Sequence, residues 1–177
     1  VLSTMVYVQG TDNAKSSYVN ISLDGDDDGV YETVLENNRL LNVSSSGDGQ
    51  VHRVNENITR VYSDYLLNYD ISDYIKSDSI KVNVHATSAA GNSDSKIKYV
   101  AVVAAYNVED SNEEYYYAIN TGHSWNSYGD IATTRFNFPA NATTNVTQAV
   151  LTQVATSSLS TGKLRITMIN KYLLGAA

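Results

Sequence analysis

The chain has 177 residues, of which 42% are apolar, so it is long and apolar enough for a globular domain with a two-layer core. Its formal net charge of −7 and its pI near 4.8 repel phosphate groups, which excludes nucleic acid and anionic membrane surfaces as favoured partners. It contains no cysteine, which excludes disulfides, thiolate catalysis and cysteine-ligated zinc or iron–sulfur sites.

The residue usage indicates an extracellular location. Fourteen Tyr and only twelve Lys plus Arg, with many Ser, Thr, Asn and Asp, are typical of an extracellular β-protein. The longest apolar run, Tyr99 to Tyr106, is far shorter than the roughly 18 residues of a membrane helix, so we expect no membrane insertion. No charged-then-apolar signal segment is present, and the start at Val1 rather than Met predicts a processed or trimmed N-terminus.

The first part of the chain predicts short strands separated by Gly, Asn, Asp and Ser. In "STMVYVQG", the alternation places Val6 and Val8 on one face and Met5 on the other. "SYVNISL" and "GVYETVLE" flank the acidic turn "DGDDDG". Together they predict a hairpin with a long loop over residues 18–36.

The middle of the chain predicts a capped turn followed by two strands. Asp70 or Ser72 offers a side-chain oxygen that can cap one helical turn across residues 72–75. In "SIKVNVHA", the strict period of two predicts that Val82 and Val84 point inward and Lys81 points outward. "KYVAVVAAY" is apolar on both faces, which predicts a central strand.

The last part of the chain completes an all-β pattern. "EEYYYAI", "TTRFNF", "AVLTQVAT" and "KLRITMINKYLL" bring the total to about nine or ten predicted strands. "VTQAVLTQV" could also form an amphipathic helical turn, but its β-branched residues favour a strand. Many short strands without a long helix predict a two-sheet β-sandwich of jelly-roll or Ig-like type, as a single domain over residues 1–177.

Two blocks of the sequence resemble known domains. In "NYDISDYIKSDSIKVNV" (68–84), a turn that feeds a strand recurs in jelly-roll domains. "KYVAVVAAYNVEDSNEEYYYAINTGHSW" (98–125) is similar to the β-sandwich domain of archaeal, mainly methanogen, adhesin-like and surface-layer-associated proteins. Those domains usually contain a pattern close to "ALVVVYED…YWINEG". Residues 117–122 occupy its second half here, with Thr121 in place of the usual acidic residue, and the resemblance spans 65–164.

The resemblance implies a structural or adhesive role outside the cell and carries over no catalytic residues. The residues agree with a protein that is not an enzyme, because His52, His85 and His123 do not form a zinc-ligand pattern. A Ser–His–Asp triad is defined by geometry, but no nucleophile-elbow motif accompanies the many serines. We therefore expect an extracellular structural subunit of a cell-surface filament or layer.

The acidic turn is the strongest candidate site. Asp24, Asp26 and Asp28 alternate before a glycine, which is the spacing of calcium loops, and Glu32 adds a later carboxylate. The twelfth position is Leu35 rather than the bidentate Glu of an EF-hand, and strands flank the loop. Carboxylates about 6 Å apart in water repel by only about 0.7 kcal/mol per pair, so a solvated turn without metal is the alternative. We expect a calcium site that is not an EF-hand.

A calcium-assisted carbohydrate-binding, lectin-like module is the competing function. Aromatic rings stack on the apolar faces of sugars, and Tyr115, Tyr117 and Trp125 could line such a face. The alternative is that Tyr side chains alternating on a strand cover the core and its rim. Exposed aromatic side chains would favour glycan binding, whereas buried ones would favour a scaffold.

Five sequons are candidates for N-glycosylation in a secreted protein. They are frequent enough to arise by chance in a chain rich in Asn, Ser and Thr, so their weight comes from the predicted surface location. The acceptor residues are Asn20, Asn42, Asn57, Asn141 and Asn145.

The two ends of the chain predict assembly with copies of itself. "VLSTMVYVQG" is apolar, extended and uncharged, and "RITMINKYLLGAA" is also strand-like. A donated terminal strand can fill a sheet edge of another copy, and a head-to-tail contact of this kind repeats into an open homopolymer. The alternative is that residues 1–10 pair within their own domain. The predicted contacts of the donated strand come from Val1, Leu2, Met5, Val6 and Val8.

Overall fold

The structure is a computed structural model that describes residues 1–10, 16–42, 51–57, 62–89, 93–105, 117–120, 136–137, 149–158 and 164–173. Its described residues form nine antiparallel strands and one 3-10 turn, which confirms the predicted all-β class. The strands are β1 (Leu2–Gly10), β2 (Ser17–Asp24), β3 (Thr33–Leu41), β4 (Val51–Asn57), β5 (Tyr62–Tyr69), β6 (Lys81–Ser88), β7 (Ser93–Val102), β8 (Ala149–Ser158) and β9 (Leu164–Leu173).

The first sheet has the strand order β4-β5-β1-β7. Leu2 of β1 lies opposite Tyr69 of β5 on one side and Val102 of β7 on the other. The register with β7 shifts at a bulge between Met5 and Val6. β1 is therefore hydrogen-bonded along both of its edges.

The second sheet has the strand order β3-β2-β6. The predicted hairpin is confirmed, because β2 and β3 pair on either side of the acidic turn. Val19, Ile21 and Leu23 alternate along β2 and are fully buried. On β6 the partly buried Val82 and Val84 pack against the core, as their alternation predicts.

The inner faces of the two sheets share one hydrophobic core, which confirms the predicted β-sandwich. The first sheet contributes Leu2, Val6 and Leu67, and the second contributes Ile21 and Leu41, all with no solvent-exposed surface. Antiparallel sheets that bury one alternating face against each other are the usual solution for strands of this length. Burying these side chains supplies the main driving force for folding.

Polar contacts also join the two sheets. The hydroxyl of Tyr69 on β5 donates to Oε1 of Glu36 on β3 at 2.8 Å. Burial, together with this carboxylate, raises the pKa of Tyr69 well above the ordinary range of a phenol. At the other end of the sheets, Ser95 Oγ on β7 donates to Ser17 Oγ on β2 at 2.7 Å. These bonds pair polar groups at the rim of the apolar core.

The predicted capped turn is a single 3-10 turn at Ser72–Tyr74. Asp70, rather than Ser72, supplies the side-chain oxygen, because Oδ1 of Asp70 accepts from the Ser72 amide at 3.0 Å. It also accepts from the Ser72 hydroxyl, and these two bonds hold the pKa of Asp70 below its usual value. The preceding Ile71 is fully buried in the core and holds the turn against the sandwich.

The expectation of a central strand at "KYVAVVAAY" is wrong for the described strands. β7 ends the order of the first sheet, and β1 is the strand that lies between two others. Ile97, Val100 and Val102 remain about two-fifths exposed. A continuous apolar run does not by itself distinguish a strand covered on both faces from a strand at the end of a sheet.

β1 pairs within its own chain, which was the alternative to a donated strand. Leu2, Val6 and Val8 are fully buried in the core, and Met5 is buried on the opposite face of the sheet. Val1 follows the same register, since its carbonyl accepts from the amide of Val103 at 2.9 Å. The predicted assembly residues thus make intramolecular contacts in a single chain, and their exchange between copies stays a prediction.

The chain divides into two compact units, residues 1–104 with 121–131 and residues 105–120 with 132–177. The first contains both sheets of the sandwich. In the second, β8 and β9 pair antiparallel from Ala149 opposite Leu173 to Ser158 opposite Leu164, which confirms a strand rather than a helix at "AVLTQVAT". That the whole chain is a single domain stays a prediction.

Two predicted strands cannot be compared with the structure over their full length. Of "EEYYYAI", residues 117–119 are described and are not in a strand, and of "TTRFNF" only residues 136–137 are described. The remainder of both lies outside the described residues. Within the described part of the chain, no helix has the length and hydropathy to cross a membrane.

Candidate metal centre

The acidic loop, residues 24–32, connects β2 to β3 and is held against the rest of the sandwich. Its first residue, Asp24, ends β2 and is fully buried. The carbonyl of Gly25 accepts from the amide of Lys76 at 2.9 Å. A side chain at position 25 would overlap the carbonyl of Tyr74 in the 3-10 turn. The loop therefore requires glycine there, and its start is rigidly attached.

The backbone reverses direction within the loop. Asp27 has φ of 62° and Gly29 has φ of 92°, both in the left-handed region. Aspartate is one of the few residues other than glycine that adopts this conformation with modest cost. The turn brings the carboxylates of residues before and after it close together.

Backbone amides orient the carboxylates of the loop. Asp24 Oδ2 accepts from the amide of Gly29 at 2.9 Å, and Asp28 Oδ1 accepts from the amide of Val30 at 2.7 Å. Glu32 Oε1 accepts from the amide of Gly25 at 3.4 Å, which spans the base of the loop. Such charge-assisted bonds fix the directions of these carboxylates within the loop.

The four predicted ligands converge. One carboxylate oxygen from each of Asp24, Asp26, Asp28 and Glu32 lies within 4.8 Å of the others. Two oxygens on opposite sides of a calcium ion, each about 2.4 Å from it, are separated by about the same distance. In the part of the chain that the structure describes, this is the one group of His, Asp and Glu side chains that could hold a metal ion. The donor set is entirely oxygen, which suits calcium and does not suit zinc.

One carboxylate oxygen of these four residues is buried without a partner. Asp24 Oδ1 has almost no accessible surface and receives no hydrogen bond, although Oδ2 of the same carboxylate accepts from the Gly29 amide and from Lys81. Buried carboxylate oxygens are nearly always hydrogen-bonded or bound to a cation. This oxygen therefore indicates a ligand more strongly than the exposed carboxylates of Asp26, Asp28 and Glu32 do.

Lys81 neutralises the other side of the loop. Its ammonium group contacts Asp27 Oδ1 and lies 3.5 Å from Asp24 Oδ2. Although burial raises it, the pKa of Asp24 is lowered overall by the Gly29 amide and by Lys81. The hydrogen bond from Lys81, with one from Ser79, lowers the pKa of Asp27 below its ordinary 3.8. The same bond raises the pKa of Lys81 above its ordinary 10.5.

These shifts define the pH range in which the Asp27–Lys81 pair stabilises the loop. Because the pKa of Asp27 is lower in the folded protein, its contribution is complete above about pH 4 and is lost as the pH falls through that lowered pKa. Because the pKa of Lys81 is raised, its contribution is complete below about pH 10 and is lost as the pH rises through the raised pKa. Both groups are charged at neutral pH.

The other predicted site residues do not join this group. Tyr117 is 69% exposed, and Tyr115 and Trp125 lie outside the described residues. His85 is exposed on β6 and His52 is exposed on β4, whereas His123 lies outside the described residues. The exposed Tyr117 is compatible with glycan contact.

The sequons occupy different positions. The Asn20 side chain is bound to Asn38 on the neighbouring strand, since Asn20 Oδ1 accepts from the Asn38 amide at 2.8 Å. Asn42 is half-buried directly after β3. Asn57 ends β4, while Asn141 and Asn145 lie outside the described residues. Glycosylation at these five positions stays a prediction.

Lys81 is the residue of the site that the sequence pattern did not assign. The alternation of "SIKVNVHA" places it on the outer face, which is correct, since its side chain is 47% exposed. Its role follows from the register of β2 with β6, where Lys81 lies directly opposite Asp24. A lysine that opens a strand after an acidic hairpin is a weak signal of such pairing, because it does not specify the partner strand.

The comparisons with known proteins identify a family but name no ligand. No curated protein and no solved structure matches the chain. Over residues 1–175, the sequence matches a family described as "Protein of unknown function (DUF3344)". Since this match covers almost the whole chain, the protein belongs to the DUF3344 family.

Proposed function

We propose that this protein is a calcium-binding structural domain of an extracellular, adhesin-like surface protein and has no catalytic role of its own. The observation that carries the proposal is the convergence of four carboxylates on the acidic loop, one of which is buried with an unpartnered oxygen. The archaeal and adhesin-like origin is supported by the resemblance of residues 65–164 and is proposed on that ground.

Calcium suits the acidic loop better than other common cations. The candidate ligands are carboxylates, which bind hard cations, and calcium accepts six to eight oxygens in flexible geometry. Magnesium requires a near-ideal octahedron at about 2.1 Å and usually keeps several waters, so it is less suited to four carboxylates on one loop. Extracellular calcium is abundant enough to fill even a site of modest affinity.

The role of calcium in this proposal is to stabilise the sandwich at one end. The loop joins β2 to β3 and is attached through Gly25 to the 3-10 turn that precedes β6. A bound cation would offset the repulsion among the four carboxylates and supply a partner for Asp24 Oδ1. A ligand present at one hundred times its Kd adds about 2.7 kcal/mol to the free energy of unfolding.

Calcium titration tests this proposal. We expect calorimetry on the chelator-treated protein to show one bound calcium, and we expect the Tm to rise with calcium and fall with chelator. Magnesium at the same concentration should give a much smaller rise. Neutralising two exposed ligands in the D26N/D28N variant should weaken calcium binding at least about tenfold, since calcium affinity depends on the number of charged ligands.

The control for this titration is D94N, which removes one exposed carboxylate from β7 outside the loop. D94N should bind calcium like the wild type. If the wild-type protein shows no binding heat and no change in Tm at millimolar calcium, the loop is a solvated acidic turn. Equal affinity of D26N/D28N and D94N would place calcium elsewhere in the chain.

We also propose assembly into a homopolymer by exchange of β1 between copies. The β1 of a second copy would occupy the same place between β5 and β7 and would form the same hydrogen bonds. The chain has no cysteine, so an S3C/N68C variant contains only the introduced pair. Ser3 and Asn68 lie directly opposite each other, within the usual Cα separation for a disulfide.

Under strand exchange, oxidised S3C/N68C should run as a ladder of covalent multimers on a non-reducing gel and collapse to one band on reduction. A single oxidised monomer band, with the free thiols consumed, would show that β1 pairs within its own chain. S3C/T87C places the second cysteine on the other sheet and controls for random cross-linking. It should give no ladder in either case.

A lectin-like function is the second candidate, and the exposure of Tyr117 is the observation that favours it. Exposed aromatic side chains are typical of sugar-binding surfaces, where the ring stacks on the apolar face of the sugar. A glycan-array screen in the presence and absence of calcium separates the two functions. Binding that is abolished by Y117A would assign the carbohydrate-binding role, whereas a blank array would leave the structural role.

A further inference from the structure

We infer that Lys81 sets the calcium affinity of the acidic loop, because it keeps Asp27 out of the ligand group and leaves a single oxygen of Asp24 for the ion. The inference rests on the proposed calcium site and adds a residue that tunes it. Lys81 is expected to stabilise the loop when no metal is bound. Its removal is nevertheless expected to make the loop bind calcium more tightly.

The position of Lys81 is fixed by the sheet. As the first residue of β6 it lies opposite Asp24 of β2, and its ammonium group reaches the carboxylates of both Asp24 and Asp27. Of the five carboxylates in the loop, Asp27 is the one that lies outside the converging group. It instead forms an ion pair with Lys81 and accepts a hydrogen bond from Ser79.

The contacts of Asp24 divide its two oxygens between two functions. Oδ2 accepts from the amide of Gly29 at 2.9 Å and lies 3.5 Å from the Lys81 ammonium group. Oδ1 is buried and has no donor. Since Oδ2 is already engaged, Asp24 can bind an ion through Oδ1 alone, and bidentate binding would require it to give up these partners.

The positive charge of the Lys81 ammonium group also opposes the binding of a calcium ion to the loop. A divalent ion on Oδ1 would lie within several ångströms of the Lys81 charge, and this repulsion in water corresponds to a loss of up to roughly tenfold in affinity. Without Lys81, the carboxylate of Asp27 would lose its ion-pair partner and become available as a further ligand. Both effects act in the same direction, toward tighter binding.

The alternative role for Lys81 is purely structural. If it served only to hold the loop in shape, its removal would loosen Asp24 and weaken calcium binding. The amide of Gly29, however, still holds Oδ2 when the lysine is absent. The two roles therefore predict opposite changes in affinity, which makes a single substitution decisive.

The test is calorimetric titration of K81M with calcium chloride, with wild type and K96M measured alongside. Lys96 is an exposed lysine on β7, so K96M makes the same change of charge on the other sheet. We expect K81M to bind calcium roughly three- to tenfold more tightly than wild type, and we expect its chelator-treated form to have a lower Tm. K96M should match the wild type in affinity.

Unchanged or weaker calcium binding by folded K81M would overturn the inference. If K81M does not fold without metal, K81Q keeps a polar group beside Asp27 and is measured instead, with the same expected direction. The outcomes are distinct from those for the proposed function. If the wild type binds no calcium, the proposed site itself is wrong. If the wild type binds calcium and K81M binds it with equal affinity, only the inferred role of Lys81 is wrong.

Discussion

Replacing Gly25 by alanine should lower the free energy of unfolding by about 3 kcal/mol or more, the upper end of the usual cost of overpacking. A β-carbon at this position would overlap the backbone carbonyl of Tyr74, which cannot rotate away as a flexible side chain could. The alternative is that the loop shifts and breaks the hydrogen bond from the Lys76 amide to the Gly25 carbonyl. Either response separates the acidic loop from the 3-10 turn.

Urea denaturation of G25A measures this effect, and G29A is its matched control. Gly29 has φ of 92°, but a β-carbon added there would have no neighbouring atom within 4 Å, so alanine adds backbone strain without a clash. G29A should cost only about 1–2 kcal/mol. If G25A proves as mild as G29A, the loop is not held against the turn in the way described. Calcium should bind G25A more weakly than G29A, because the first ligand follows the displaced backbone.

Truncation of Leu67 to alanine should destabilise the sandwich by about 2–5 kcal/mol, the range observed for buried leucines. Leu67 is fully buried in the middle of the first sheet, opposite Thr4 on β1 and Val51 on β4. Its side chain contributes to the core between the two sheets, so its removal leaves a cavity that strands on both sides restrain from closing.

The control for this truncation is L40A on β3, where the side chain is 38% exposed. Because a half-exposed leucine buries less apolar surface and leaves no closed cavity, L40A should cost less than about 1 kcal/mol. Chemical denaturation measures the free energy of unfolding of both variants. If their m-values are unchanged, the difference between L67A and L40A reflects packing in the folded state. Equal losses for L67A and L40A would contradict the assignment of the core to the space between the sheets.

The parts of the fold that the sequence predicts are those strands in which apolar and polar residues alternate strictly. Val19, Ile21 and Leu23 recur with a period of two and are fully buried, and Lys81 and Val82 alternate as expected on β6. The acidic spacing also predicts which carboxylates converge, because a tight turn between two paired strands places residues 24, 26 and 28 close together. In these cases a local pattern determines the structure.

The remainder depends on strand partners that are far apart in the sequence. Asp64 is fully buried on β5, and its Oδ1 lies 2.8 Å from the ammonium group of Lys98 on β7, across the intervening strand β1. That ammonium group is also 5.0 Å from the centre of the Tyr7 ring. Neither the burial of Asp64 nor the pairing of Lys81 with Asp24 follows from neighbouring residues, because both require the strand order.

The position of β1 between β5 and β7 has a kinetic consequence. Both partners of β1 come far later in the sequence, whereas the β2–β3 and β4–β5 pairs join neighbouring strands. In long-range pairing of this kind, the chain loses conformational entropy on loop closure before any stabilising contact forms. We therefore expect slow folding, in which the two hairpins form early and the first sheet closes late. Until β1 inserts, the facing edges of β5 and β7 remain open, and any chain presenting the same strand at that moment competes for them. Chain concentration during folding would then decide how often a molecule captures its own β1.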